Sequence, residues 1–447
     1  MDNERARAEK YAGHLSRLIQ ADTVSVEDVR EPEKFEKFHA LLKEIFPDLF
    51  AVCVYENIEG SMLLKWTGKD PNKNPVLFMN HSDTVEAQGE WKHPPFSGDI
   101  AEGKVWGRGA LDTKGGLWGM LEGANELAAE GFTPDRDIYF ESSCCEEITS
   151  NGLGAELVAK VLGERGIHFS MILDEGGMIM FEPIGGVKKE FAMVGLGERG
   201  CSSLRFIARG NGGHASVPEK NSPLVRLGKF MAEADKNKVF DVEIPEPIKE
   251  MLRRFAPFVG KAVGHIYSDP DRYDVLFKKI MPSVSPTSRA LTQTTLAFTM
   301  AQGSDGYNVV PAEASVVGNM RTSHHHGFEG SLEAISNLAK KYDIDTEVIE
   351  SPEKTRLSDY NSKAFKLIED AVSDAFPGVL TAPYIMTGCS DGRFMEKLGD
   401  NCFRFVPFLI DDEQMKSIHG LNECVDVSTL PKAVDFYKYV MRGLENV

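Results

Sequence analysis

The run Pro75-Val76-Leu77-Phe78-Met79 is apolar at five consecutive positions, continues into Asn80, and ends in His81-Ser82-Asp83. A strand with apolar side chains on both faces cannot lie on a sheet with one side in water. It has to sit between two covering layers, as the strands of a parallel sheet do. Its neighbours alternate accordingly. Tyr11, Leu15, Leu18 and Ile19 recur at helical spacing, as do Phe35, Phe38, Leu41, Leu42 and Ile45. Strands are predicted at 51–55, 61–66, 75–80, 136–142 and 169–174, with helices at 115–130 and 154–162 between the later ones. That β-α-β order predicts an α/β fold: an open, mostly parallel sheet sandwiched by helices.

Near residue 190 the rhythm changes. Strands at 190–195 and 202–210, a helix at 223–234, strands at 292–300, 314–320 and 344–350, and a helix at 332–341 read as a smaller α+β unit. A charged, proline-punctuated stretch at about 236–290 falls inside it. The α/β pattern then returns, with helices at 362–375 and 428–443 around a strand at 402–407. The expected organisation is therefore a catalytic domain at 1–190 and 352–447, interrupted by an inserted lid or dimerisation domain at 191–351.

Charge narrows the class of function. Lys plus Arg (50) against Asp plus Glu (68) gives −18, and no cluster of positive charge suggests nucleic acid or an anionic membrane. No apolar run approaches the ~18 residues of a membrane span, and the charged start MDNERARAEKYAG lacks a signal-peptide core. Seven cysteines without a recurring C-x-x-C pair fit a reduced, cytoplasmic setting.

The chemistry collects where strands end, the place where α/β sheets bind ligands. The strand at 75–80 runs into His81 and Asp83, the strand at 136–142 towards Glu146-Glu147, and the strand at 169–174 into Asp174-Glu175. The glycines of Gly107-Arg108-Gly109-Ala110-Leu111-Asp112 would let a loop bring Asp112 into the same crevice. A second histidine is needed to complete a metal-binding set, and His419 in Ile418-His419-Gly420-Leu421-Asn422-Glu423 is the best candidate. His14, His39 and His168 read as packing or surface residues, and His324-His325-His326 as a solvated turn.

These motifs, HSDTV, GRGALDTKGG, the Glu-Glu pair, LDEGG, GGHASVP, YNVVPA and IHGLNE, stand in the order found in a dizinc metallopeptidase family. That family includes aminoacylase, carboxypeptidase S, glutamate carboxypeptidase, acetylornithine deacetylase and succinyl-diaminopimelate desuccinylase, and the chain most resembles its carboxypeptidase S branch. The resemblance implies two zinc ions per chain, with cobalt or manganese as substitutes, bridged by Asp112. His81 and Glu175 would complete one set of ligands, Glu147 and His419 the other. Asp83 would hold His81 by its other ring nitrogen, and Glu146 would be the general base. His214 would stabilise the developing oxyanion, acting within the chain or from a partner subunit. Asn308 and Arg321 would bind the substrate's carboxylate, and Gly388 and Ser390 would line its pocket. One departure from the family pattern is Cys145, directly before the Glu-Glu pair. Next to dications it is expected to be an oxidisable thiol and a softer ligand.

The resemblance implies a metal-dependent hydrolase. It would cleave the amide of an N-acyl amino acid or small peptide next to a free carboxylate, with no nucleic-acid or membrane partner and a homodimer formed through the lid. A biosynthetic N-acetyl or N-succinyl amine deacylase is the first alternative. A non-catalytic metal-site homologue is the second, and the retained Glu146 speaks against it.

Overall fold

The structure is a computed structural model describing residues 2–236, 238–351 and 356–447. Its centre is a ten-stranded sheet in the order Cys53–Ile58, Ser61–Trp66, Ile138–Ser142, Val76–Met79, Met171–Asp174, Cys402–Arg404, Glu190–Glu198, Ile179–Phe181, Leu409–Ile410, with Leu380–Met386 pairing alongside Glu190–Glu198. The middle strands run parallel: Val76–Met79 pairs in that sense with both Ile138–Ser142 and Met171–Asp174. Their carboxyl ends, which precede Glu146, His81 and Glu175, therefore share one edge.

The apolar run at 76–79 is explained by what it touches. Val76 and Phe78 join the core formed with helices Asp2–Gln20, Pro32–Ile45, Lys114–Ala129, Lys363–Ala375 and Leu430–Arg442. Leu77 and Met79 point to the opposite face, onto Ala155, Val158 and Leu162 of helix Gly154–Glu164. All four are fully buried, and each such side chain contributes ~1.5–3 kcal/mol over exposure.

The chain leaves this sheet at Arg199. Strand Glu190–Glu198 belongs to the large sheet, whereas Gly200–Arg209 lies in a four-stranded antiparallel sheet ordered Thr295–Gln302, Glu313–Thr322, Gly200–Arg209, Asp345–Glu350. Helices Pro223–Ala234 and Gly327–Lys341 cover one face of the small sheet, burying Leu227, Phe230, Ile335 and Leu338 against Leu204, Phe206 and Val316. The expected boundary at 190/191 therefore cuts a strand of the large sheet, and the one at 351/352 touches residues outside those described. The charged stretch also differs from expectation. Helices Glu246–Phe255 and Asp274–Val284 bury Ile248, Met251, Leu252, Phe255 and Phe277 against Phe191, Met193, Ala382 and Ile385 of the large sheet. Their apolar side chains at helical spacing match that sheet's flank, and their charges face outward. Finally, Pro47–Val52 is a helix, so the strand predicted at 51–55 begins only at Cys53. Among the described residues no helix is long and apolar enough to cross a membrane.

Candidate metal centre

Each side chain arrives at the site by a local device. His81 lies just beyond the buried strand, with its Nδ1 3.0 Å from the Asp83 carbonyl oxygen and 3.4 Å from Asp83 Oδ1. The Asp83 carboxylate also reaches across to the next strand end, where it accepts the backbone N–H groups of Glu146 and Glu147, each at 3.1 Å. It thus orients the imidazole and fixes the paired glutamates together.

The loop bearing Asp112 is anchored from behind. Glu423 Oε1 accepts the N–H of Leu111 at 2.8 Å and of Asp112 at 3.1 Å. The helix after this loop sits close because Gly116 has no side chain: a Cβ there would lie 2.1 Å from Asn80 Oδ1. Similarly, a Cβ on Gly177, just after Glu175, would lie 1.9 Å from the Met193 carbonyl oxygen. His419 is held in the left-handed backbone region, φ 57°, at a cost of about 1–3 kcal/mol for a residue with a side chain. Arg108 Nη2, donating to the Gly420 carbonyl at 2.7 Å, helps to hold that turn.

These devices bring five residues together. Asp112 Oδ1 lies 3.1 Å from His81 Nε2, and Asp112 Oδ2 lies 3.0 Å from His419 Nε2. His419 Nε2 is also 2.9 Å from Glu147 Oε2. Two sets of donor atoms, from His81, Asp112 and Glu175 and from Asp112, Glu147 and His419, each fall within 4.8 Å of one another and share Asp112.

The electrostatics ask for cations. Burial pushes the Glu146 and Glu175 carboxyls well above the ordinary carboxylate range and raises Glu147 as well. Burial would do the same to Asp112, but hydrogen bonds from His419 and His81 hold it well below. Hydrogen bonds to Asp112 and Glu147 push His419 up to about 10, and Asp112 and Asp83 raise His81 well above its usual value against the effect of burial. The surplus of buried carboxylates favours positive charge at this place, a role that divalent ions would fill.

A cavity of about 650 Å³ opens beside this cluster. It is lined by Asp112, Glu146, Glu147, Glu175 and His419 on one side and by Arg321, Gly388, Cys201 and Cys389 on the other. A groove of about 1040 Å³ between helices Lys363–Ala375 and Leu430–Arg442 is larger but holds none of these residues. Arg321 Nε donates to Asn319 Oδ1 at 2.9 Å, and among the described residues Arg321 has no carboxylate partner.

Three expected positions fall elsewhere. Ser390 is fully buried and donates to Glu198 Oε2 at 2.8 Å, so it braces the loop instead of lining the cavity. His214 and Asn308 lie together at a small exposed two-stranded antiparallel ladder, Gly213–His214 paired with Val309–Val310, outside the cavity of their own chain. Cys145 is buried with Cys144 and Phe35 in an apolar cluster, and its hydrogen bond with Cys144, together with burial, pushes its thiol up. Cys145 belongs to neither donor triad and does not line the cavity, so the exposure expected of an oxidisable thiol is missing. Sequence reasoning also passed over Arg393, which lines the cavity with Nη1 3.7 Å from Glu146 Oε1. Its only signal was its place two residues after Asp391 in the pocket-lining loop.

Known proteins resemble the chain over nearly its whole length. The family model described as Peptidase family M20/M25/M40 matches residues 77–443, which include every candidate ligand. The chain is 30% identical over 428 residues to a probable carboxypeptidase S-like 2 of Dictyostelium discoideum, covering 94% of this chain and 81% of that one. It is 28% identical over 430 residues to the N-fatty-acyl-amino acid synthase/hydrolase PM20D1 of Homo sapiens, covering 94% and 85%. Among solved structures, the M20 family metallo-carboxypeptidase Sso-CP2 of Sulfolobus solfataricus shares the fold with a TM-score of 0.69 at 17% identity, over 96% of this chain and 97% of that one.

Proposed function

Because the chain belongs to peptidase family M20/M25/M40, a family of metal-dependent hydrolases, we propose that it hydrolyses the amide of an N-acyl amino acid or short peptide beside a free carboxylate, using two zinc ions. His81, Asp112 and Glu175 would hold one ion, and Asp112, Glu147 and His419 the other. The donors are imidazole nitrogens and carboxylate oxygens, the set zinc accepts in catalytic sites, and neither triad contains a thiol. Such a set also admits cobalt and manganese. Bound there, the ions would act as Lewis acids on the scissile carbonyl and make water a stronger acid.

The observation that carries this reading is Glu146. It lines the cavity beside Asp112, Glu147, Glu175 and His419 yet belongs to neither triad, so its carboxylate is free to move protons. It takes the proton of the attacking water and returns it to the nitrogen of the leaving amine. Asp83 fixes the backbone of Glu146 and Glu147, and Arg393 positions the Glu146 carboxylate from the far side. Arg321, without a carboxylate of its own, receives the substrate's.

A panel of N-acyl amino acids and dipeptides, each beside its C-terminal carboxamide, tests the reading with added zinc, manganese or cobalt. Cleavage of the free acids and at least about tenfold weaker cleavage of the amides is expected. Metal-loaded protein that hydrolyses none of the amide bonds refutes it.

The positions of His214 and Asn308 support a homodimer in which this two-stranded ladder of each chain completes its partner's site. Tyr307 and Val217 beside them are exposed apolar side chains, and Thr295–Gln302 is an exposed sheet edge. Mixing Glu146→Gln and His214→Ala proteins should restore activity in the mixed dimer if His214 acts across the interface. A monomer in light scattering that is fully active at the same concentration excludes it.

A further inference from the structure

The far wall of the site cavity joins the two sheets through a pair of thiols. Cys201 sits at the start of strand Gly200–Arg209 in the small sheet, and Cys389 in the loop after Leu380–Met386 of the large one. Both are half-buried and line the cavity, and the two thiols hydrogen-bond to each other. Arg321 is the cross-strand partner of Cys201, and its Nη1 donates to Cys389 Sγ at 2.9 Å. Asn319 Nδ2 donates to Cys201 Sγ at 3.8 Å while Asn319 Oδ1 accepts from Arg321 Nε. Cys389 Sγ also lies 3.5 Å from the Arg199 carbonyl oxygen, an alternative acceptor for its single proton.

Cysteines in mutual contact are often no more than small apolar side chains. Cys201 differs from Cys53, Cys402 and Cys424 in its surroundings, and it differs from the Cys144–Cys145 pair in lining the substrate cavity. Cys53, Cys402 and Cys424 lie where burial pushes the thiol up. Cys201 instead meets the Cys389 thiol, the Asn319 amide and the Arg321 guanidinium, all of which favour a negative sulfur. The hydrogen bond from Cys389 chiefly, against burial, brings it down to about 6. A thiolate beside a resolving thiol at an accessible surface is the arrangement of a peroxide-responsive pair.

We infer that Cys201 and Cys389 are a redox modification site, converted by a hydroperoxide into a disulfide that ties the small sheet to the large one across the substrate cavity. The Cys201 thiolate attacks one peroxide oxygen, forming an S–O bond as the O–O bond breaks and hydroxide leaves. Cys389 then attacks that sulfur; the S–S bond forms, the S–O bond breaks, and the Cys389 proton leaves with the departing hydroxide as water. With hydrogen peroxide as the hydroperoxide, two thiols lose two electrons and two protons, and the H2O2 is reduced to two molecules of water. A dithiol reverses the change by exchange. Bonded sulfurs stand about 2 Å apart, so the cavity wall is drawn in at Arg321, the group proposed to receive the substrate's carboxylate.

The effect on activity rests on the proposed hydrolase reading; the bond itself does not. Zinc-loaded protein is treated with hydrogen peroxide, blocked with iodoacetamide, digested without reduction and mapped by mass spectrometry. The expected result is a peptide pair joined through Cys201 and Cys389, with amide hydrolysis lowered at least about tenfold and restored by dithiothreitol. Cys201→Ser and Cys389→Ser, with the alanine variants alongside and folding checked by thermal melts, should lose the cross-link. Each should keep its own untreated activity within about twofold after peroxide. Peroxide that leaves 201 and 389 unlinked, or links Cys144 to Cys145 instead, overturns the assignment. So does a 201–389 bridge that leaves hydrolysis unchanged. If the protein hydrolyses no amide at all, the mass-spectrometric bridge still decides the thiol assignment while the hydrolase reading falls.

Discussion

Arg108 and Glu423 form a buried ion pair, Nη1 to Oε2 at 2.6 Å, beneath the loop that carries Asp112. The other Glu423 oxygen holds the backbone of Leu111 and Asp112, and the other Arg108 nitrogen holds Gly420, next to His419. One pair thus aims both the shared carboxylate and a histidine from a second segment. Burial pushes Glu423 up to about 7 in spite of Arg108, so the pair is retained at some cost.

Breaking that pair leaves a buried guanidinium without its carboxylate. Glu423→Gln is expected to lower unfolding free energy by about 3 kcal/mol and to weaken metal retention. Arg108→Met with Glu423→Gln should cost less than the two single changes summed. Urea denaturation of the three variants measures it; strict additivity would mean the residues do not act as a unit.

Adjacent glutamates should fail in different ways. Glu146→Gln keeps the size of the side chain but cannot take up a proton, so kcat should fall ~10²–10⁴-fold with both metals retained. Glu147→Gln removes a charged ligand, so one ion should be lost and some activity recovered at high zinc. Metal content beside turnover for both proteins tells the roles apart. The opposite pattern would exchange them.

Elemental analysis of loaded, washed protein should give two divalent ions per chain. Asp112→Asn, which weakens both triads at once, should lower occupancy of both, whereas His419→Ala should lower one. Added zinc should raise the melting temperature, since ligand at a hundred times its Kd stabilises by about 2.7 kcal/mol. A single ion in the wild type contradicts the shared-carboxylate arrangement.

His39 supplies an acid-sensitive point far from the metals. It lies on the buried face of helix Pro32–Ile45 against Tyr55, whose hydroxyl lies 3.0 Å from Nδ1, and burial lowers its pKa from 6.5 to about 4. As pH falls, the unfolded chain binds the proton first. The stability that His39 contributes is therefore complete above about pH 6.5 and lost as pH drops through that value towards 4, by up to about 3 kcal/mol. His39→Phe should flatten the stability profile between pH 4 and 6.5. An unchanged slope would assign the acid sensitivity to other groups.

Much of the site is legible in the sequence because the chemistry sits where periodicity ends. His81, Glu146, Glu147 and Glu175 come after three apolar strands, and parallel pairing of neighbours puts such ends side by side. His419 has no comparable pattern and is recognisable only through its motif. Contacts between distant segments are not legible. Ser390 looks like a pocket residue until Glu198 is seen to hold it. Helix Glu246–Phe255 carries Arg253 paired to Glu246 and Asp271 on its outer side, so its charge density hides an inner face that packs on the large sheet. Pro383 interrupts the apolar run at 380–386, yet the segment is a strand paired in parallel with 191–198.

A single residue, Arg199, separates the last position of one sheet from the first of the other. Its guanidinium is pinned to Thr295 Oγ1, the Gln293 carbonyl and the Arg321 carbonyl, all on the small-sheet side. With no slack at this crossing, the sheets cannot slide apart there. The joint therefore goes with the small sheet, and Arg321, whose carbonyl it grips, keeps its reach from the end of strand Glu190–Glu198.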